Sequence, residues 1–177
     1  MLHTQLAALA LAASAVIASG CGSSKTETTT TTASATTAST AATTTPAVNT
    51  TPVKVTTGIP LSRTVWLSQG EAICASTAAK LATLSARTQA QLMRELPLAA
   101  AYDLVESEEL SKLVPPKSMA HDWELIVTDL HLSSEYTNQA ALYIKTTHNI
   151  DGPAYTKASH FNHEVAIIAK RDGFKQC

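Results

Sequence analysis

The 177-residue sequence predicts an all-α fold: an up-and-down four-helix bundle over residues 58–177, carried behind a signal-like segment (1–20) and a disordered stalk (21–57). Three observations lead there. All eight aromatic residues fall between Trp66 and Phe174, so a packed core can form only in that span. Within it, apolar residues recur three and four positions apart, and no strand-like alternation is seen. Short breaks containing Pro or Gly separate the recurrences, as expected for neighbouring helices joined by short loops. A span of about 120 residues suffices for one independent core.

Residues 6–21 read "LAALALAASAVIASGC", an apolar run of the length of a signal-peptide h-region and too short and alanine-rich for a transmembrane helix. It ends in "VIASGC", which resembles the lipobox of bacterial lipoproteins, where small residues precede a cysteine that receives a diacylglycerol thioether. Ala18, Ser19 and Gly20 take the three positions before Cys21, the candidate lipidation residue. Leucine is the usual residue in that family where Ala18 stands, and the opening "MLHTQ" has no Lys or Arg. The alternative is an ordinary secretory signal cut near Gly20, leaving Cys21 a free thiol.

From Cys21 to Thr57, sixteen of 37 residues are threonine, and the bulkiest apolar groups are three valines. Such a stretch cannot bury enough surface to offset the entropy of ordering it, and reads as a Ser/Thr-rich stalk open to O-glycosylation. Behind a lipidated Cys21 it would hold the folded part off the membrane, so the first partner expected is the membrane itself, through diacylglycerol on Cys21.

The first helix is read from "SRTVWLSQGEAICASTAAKLATLSA", with Trp66, Ile73, Thr77, Leu81 and Leu84 on one side. Two starts compete. Ser62 can cap a helix beginning at Arg63, and Ser68 with Glu71 forms a capping-box pattern. The longer version carries Gly70 in its interior, at a cost of about 1 kcal/mol relative to Ala, but lets Trp66 reach the core. The second helix runs through "QAQLMRELPLAAAYDLVESEELSKLV", with Leu96, Ala100, Leu104 and Leu110 suggesting a face. Pro97 either kinks it or starts a new segment. Pro115 and Pro116 end it.

The third helix is the longest. Met119, Trp123, Ile126, Leu130, Thr137, Ala141, Ile144 and His148 fall on one stripe over about eight turns. "DGP" at Asp151 to Pro153 breaks the pattern. A fourth helix follows with Ala154, Ala158, Phe161, Val165 and Ile168 in phase. Gly173 sits where a left-handed cap would stop it and let "FKQC" turn back.

The order "EAIC" on the first helix, a Leu-Pro-rich second helix, "LVPP" before a long Trp-bearing third, and a final "GFKQC" resembles a group of small actinobacterial cell-envelope lipoproteins of unknown function. The resemblance implies an envelope location and a bundle crosslinked from its first helix to its C-terminus; it implies no activity. The cysteine count agrees. If lipidation consumes Cys21, export leaves Cys74 and Cys177 in an oxidising compartment, where they are expected to form a disulfide.

Sites for chemistry are sparse. A net charge of -1 with no run of like charges gives nothing to hold nucleic acid. In "HFNHE", a helical projection points His163 away from His160 and Glu164, which stand one turn apart as a surface pair. His121 projects outward, and His131 and Glu135 form another flank pair. His148 falls on the apolar stripe near a helix end, where capping is favoured over ligation. The Glu-x-x-His repeat of di-iron bundles is absent, so no metal and no cofactor are expected. No Gly-x-Ser-x-Gly elbow or glycine-rich phosphate cradle is present, and Glu106, Glu108 and Glu109 read as a solvated face. The expected function is a non-enzymatic interaction or scaffold module of the cell envelope with a protein partner. A small-ligand or metal-binding helical lipoprotein is the alternative.

Overall fold

The computed structural model describes residues 53–177, so the signal-like segment, Cys21 and most of the stalk lie outside the described residues. Four helices form the described part, with no strand among its residues: α1 (Arg63–Leu81), α2 (Gln89–Ser111), α3 (Ala120–Thr147) and α4 (Pro153–Asp172). A short 3-10 turn, Lys117–Met119, leads into α3.

Register can be followed through the side chains that cross between helices. Ser107 Oγ donates to the Val127 carbonyl at 2.9 Å, and Ser134 Oγ donates to that of Ala100 at 2.8 Å, so α2 and α3 run antiparallel. Tyr136 stacks on Phe161 while Arg171 pairs with Asp122, which makes α3 and α4 antiparallel as well. Thr77 meets Glu106, and Lys80 lies over the Tyr102 ring at 5.8 Å, giving α1 and α2 the same relation. This is the up-and-down order, with the start of α1 beside the end of α4: Arg63 Nη2 donates to the Asp172 carbonyl at 3.0 Å.

The helix ends follow from local chemistry. Ser62 caps α1, accepting the Val65 N–H at 3.4 Å, so the longer version of the first helix is the one that forms. Thr88 and Gln91 make a reciprocal capping box at the start of α2. That helix continues through Pro97 without a break. Pro97 is exposed, and its missing N–H leaves one intrahelical bond unmade; burial of Leu96 and Ala100 on either side against the bundle offsets the loss. Gly173, at φ +105°, ends α4 as a left-handed cap.

The main core gathers at the end of the bundle where α1 starts. Trp66 packs edge-on against both Trp123 and Phe174, with ring centroids 5.0 and 4.8 Å away. Trp123 donates its indole N–H to the Leu110 carbonyl at 3.2 Å. Ile126, Val127, Leu130, Val165 and Ile168 extend this core along α3 and α4. A smaller cluster of Leu96, Ala141 and Ile144 lies beyond the end of α1.

Several sequence expectations need correction. In the first helix the buried stripe is Trp66, Gly70, Cys74 and Thr77, so Ile73, expected on that side, is only half-buried. Leu104 is likewise half-buried, because the centre of the α2 face belongs to Asp103, Glu106 and Ser107. His148 is exposed and caps α3 in the left-handed conformation, φ 56°, its N–H donating to the Ile144 carbonyl. Residues 53–57, expected as the end of the stalk, lie against the helices: Val53 and Val55 pack on the core, and the Thr56 N–H donates to the Ser111 carbonyl at 2.8 Å.

Candidate functional site

The most unusual chemistry of the described residues lies halfway along α2, where Asp103 and Glu106 are both buried. The two stand one turn apart and lean to different neighbours. Asp103 turns toward α3 and α4, accepting the Ser133 hydroxyl at 3.1 Å and a hydrogen bond from Asn162. Burial lifts its pKa from 3.8 to about 6, against the lowering effect of those two bonds. Glu106 turns toward α1 and is hydrogen-bonded to Thr77. Burial, reinforced by the Asp103 charge, raises its pKa from 4.5 to about 8; the Thr77 bond and the Lys80 cation pull the other way. At neutral pH Glu106 is therefore a neutral carboxylic acid inside a helical bundle.

Beyond Glu106 lies the crosslink. Cys74 and Cys177 are joined in a disulfide, with Cα atoms 4.9 Å apart and 103 positions apart in sequence. The tail reaches α1 because Gly173 turns the chain, Phe174 plugs into the two tryptophans, and the N–H groups of Lys175 and Gln176 both donate to the Glu71 carboxylate. Glu71 thus anchors the tail from the turn of α1 next to Cys74. One oxygen of Glu106 and the two sulfurs all lie within 4.8 Å of one another. A surface cleft of about 250 Å³ lies between α1 and α2, lined by Ile73, Thr77, Lys80, Val105, Glu106 and Glu109 among others.

The residues singled out in the sequence are placed as follows. Cys74 and Cys177 are brought together. His160 Nδ1 stands 3.9 Å from Glu164 Oε1 on an exposed face, the surface pair expected, and His163 and His121 are exposed. His131 and Glu135 are half-buried. Among the described residues, the one trio of His, Cys, Asp or Glu with ligand-type atoms this close is Cys74, Glu106 and Cys177, and it contains no histidine.

Sequence reading missed Asp103 altogether and placed Glu106 with Glu108 and Glu109 on a solvated face. Glu108 and Glu109 are indeed exposed, but Glu106 is 7% exposed. A signal existed in principle, since Asp103, Glu106 and Leu110 share the three- and four-residue spacing of Leu96 and Ala100. Comparison with known protein families, curated proteins and solved structures finds no match to this chain.

Proposed function

We propose that the protein is a lipid-anchored component of a bacterial cell envelope, held to the extracytoplasmic face of the membrane through Cys21 and displaying its helical bundle as a non-catalytic interaction or scaffold module. The observation that carries this reading is the division of its three cysteines. Two are joined across the bundle, and disulfides of this kind persist in oxidising compartments. The third stands alone in "ASGC" after an export-type apolar run.

Other features agree with a role in display. The polar stretch between Cys21 and the bundle is a spacer by composition. The bundle has a well-filled aromatic core and a clasped tail, so it can present a surface of fixed shape. No helix among the described residues is long and apolar enough to cross a membrane.

Replacing Cys21 with Ser tests the anchor. Two acyl chains hold a protein far more firmly than one, at about 0.8 kcal/mol per buried methylene. The variant is expected in the medium, and wild type in the membrane fraction with incorporated labelled fatty acid. Equal fractionation of the two, with no label in wild type, is the result that rejects it. Crosslinking in intact envelopes followed by pull-down then identifies the partner of the bundle.

A further inference from the structure

Neither the packing of the bundle nor a display role requires an acid at Glu106. A leucine or methionine would fill the same volume without burying a carboxyl. Its position is specific nonetheless: one oxygen lies within 4.8 Å of both sulfurs of the disulfide. The two cysteines differ in exposure. Cys74 is 1% exposed on the inner side of α1, whereas Cys177 is part-buried on the short tail beyond Gly173.

We propose that Cys74–Cys177 is an exchange-competent disulfide for which Glu106 is the proton donor and acceptor, and that its substrates are low-molecular-weight thiols and their disulfides. On opening, the entering thiolate attacks the sulfur of Cys177, the less buried of the two residues. The bond between the two cysteine sulfurs breaks, and its electron pair remains on Cys74. The Glu106 carboxyl gives its proton to that sulfur. The products are a mixed disulfide on Cys177, the Cys74 thiol and the Glu106 carboxylate, so the single negative charge brought in by the thiolate ends on Glu106. Closing is the reverse: Glu106 takes the Cys74 proton, Cys74 attacks the Cys177 sulfur, and the small thiolate leaves.

The acid suits the task. A pKa of about 8 lies close to that of an ordinary thiol, so the proton passes between near-equal partners. The charges facing Glu106 are Asp103 on its own helix, which raises its pKa, and Lys80 on α1, which lowers it. Glu109 lines the same cleft, and the tail faces Glu106 with Cys177. Glu106 is also among the residues that line the α1–α2 cleft, which opens to the surface. Cys74, sealed in the core, has to exchange its proton with a neighbour.

The test uses the full chain carrying Cys21→Ser, reduced and then mixed with excess oxidised glutathione. Samples are quenched by alkylation and resolved by mass into reduced, mixed-disulfide and closed forms. The rate of closing from the mixed disulfide is expected to rise with pH and level off above about pH 8. In a second chain that also carries Glu106→Gln, closing at neutral pH should be slower by about tenfold or more, with no levelling at that pH. Gln preserves the shape of the side chain and its bond to Thr77, so a purely structural role predicts identical profiles; identical profiles in chains of equal helicity overturn the proposal. Should the Gln chain lose helicity, Glu106→Met, which fills the same volume without a carboxyl, takes its place with the same two outcomes.

Discussion

Gly70 lies directly against the ring of Phe174: a Cβ added to the glycine would stand 2.6 Å from the ring's Cε1 and 3.4 Å from the nearest atom of Trp123. A glycine inside a helix is a local defect, and here it creates the notch that the returning tail fills. Gly70→Ala gains about 1 kcal/mol in helix propensity but forces a ring held between two tryptophans to move, at about 1–3 kcal/mol. A net loss of about 1 kcal/mol is expected, read as a lower denaturant midpoint. A higher midpoint would mean that Phe174 is free to shift.

The crosslink should dominate stability. Closing a loop of this length contributes up to about 4.7 kcal/mol by restricting the unfolded chain. Joint replacement of Cys74 and Cys177 by Ser is expected to cost about 2–5 kcal/mol, with fraying concentrated in the tail and the start of α1. Hydrogen exchange at the Lys175 and Gln176 amides locates it, since both donate to Glu71. Unchanged protection there would show that the tail is held by Phe174 without the disulfide.

His148 offers a gain. It holds φ 56° with a side chain that favours other conformations, and its imidazole is exposed. His148→Gly relieves the left-handed penalty, worth about 1 kcal/mol, and should raise the melting temperature. A lower melting temperature would assign the imidazole a stabilising contact with the end of α3.

The two buried carboxyls predict an unusual pH dependence. Both have folded-state pKa values raised above the unfolded ones, Asp103 from 3.8 to about 6 and Glu106 from 4.5 to about 8. The folded chain therefore holds protons that the unfolded chain has released. Their contribution is fully present below about pH 4 and is lost as pH rises, first through the Asp103 value and then through that of Glu106. Glu106→Gln should leave acid stability unchanged, add about 4 kcal/mol near pH 7.5 and flatten the profile between about pH 6 and 8. Denaturant titrations across that range measure it, and parallel profiles for the two chains would show that Glu106 is ionised in the fold.

The helices were legible because helix-forming pattern, caps and breaks agree in this chain: Ser62 before the Trp66 stripe, "DGP" before α4, Gly173 after it. The disulfide was legible by cysteine count and compartment. Pro97 was ambiguous because the penalty of an interior proline is local, whereas the burial of Leu96 and Ala100 that outweighs it depends on α3. The polar seam was harder. Ser133, Ser134 and Asp103 look like surface residues until α2 and α3 are placed in register, when the hydroxyls find the Asp103 carboxylate and the Ala100 carbonyl. Burial of Cys74 rather than Ile73 goes with the tail, which packs Phe174 on Gly70 and bonds Cys177 to Cys74. Such long-range choices leave no mark in a helical period.

The segment from Val53 to Leu61 enters at the end of the bundle that also holds the start of α1 and the end of α4, fastened by two hydrogen bonds, Thr56 to Ser111 and Leu61 to Val114. Tension arriving along the preceding chain therefore meets those two bonds first, and then the turns of α1 ahead of Cys74. At Cys74 it meets a covalent stop. Only about 20 residues can be drawn out, roughly 70 Å when fully extended, before the load crosses to the tail through the sulfurs. With the disulfide closed, a pull on the N-terminal side cannot unravel the bundle past Cys74. With the disulfide open, nothing covalent sets that limit, and the redox state of one bond decides how far the domain yields to a pull.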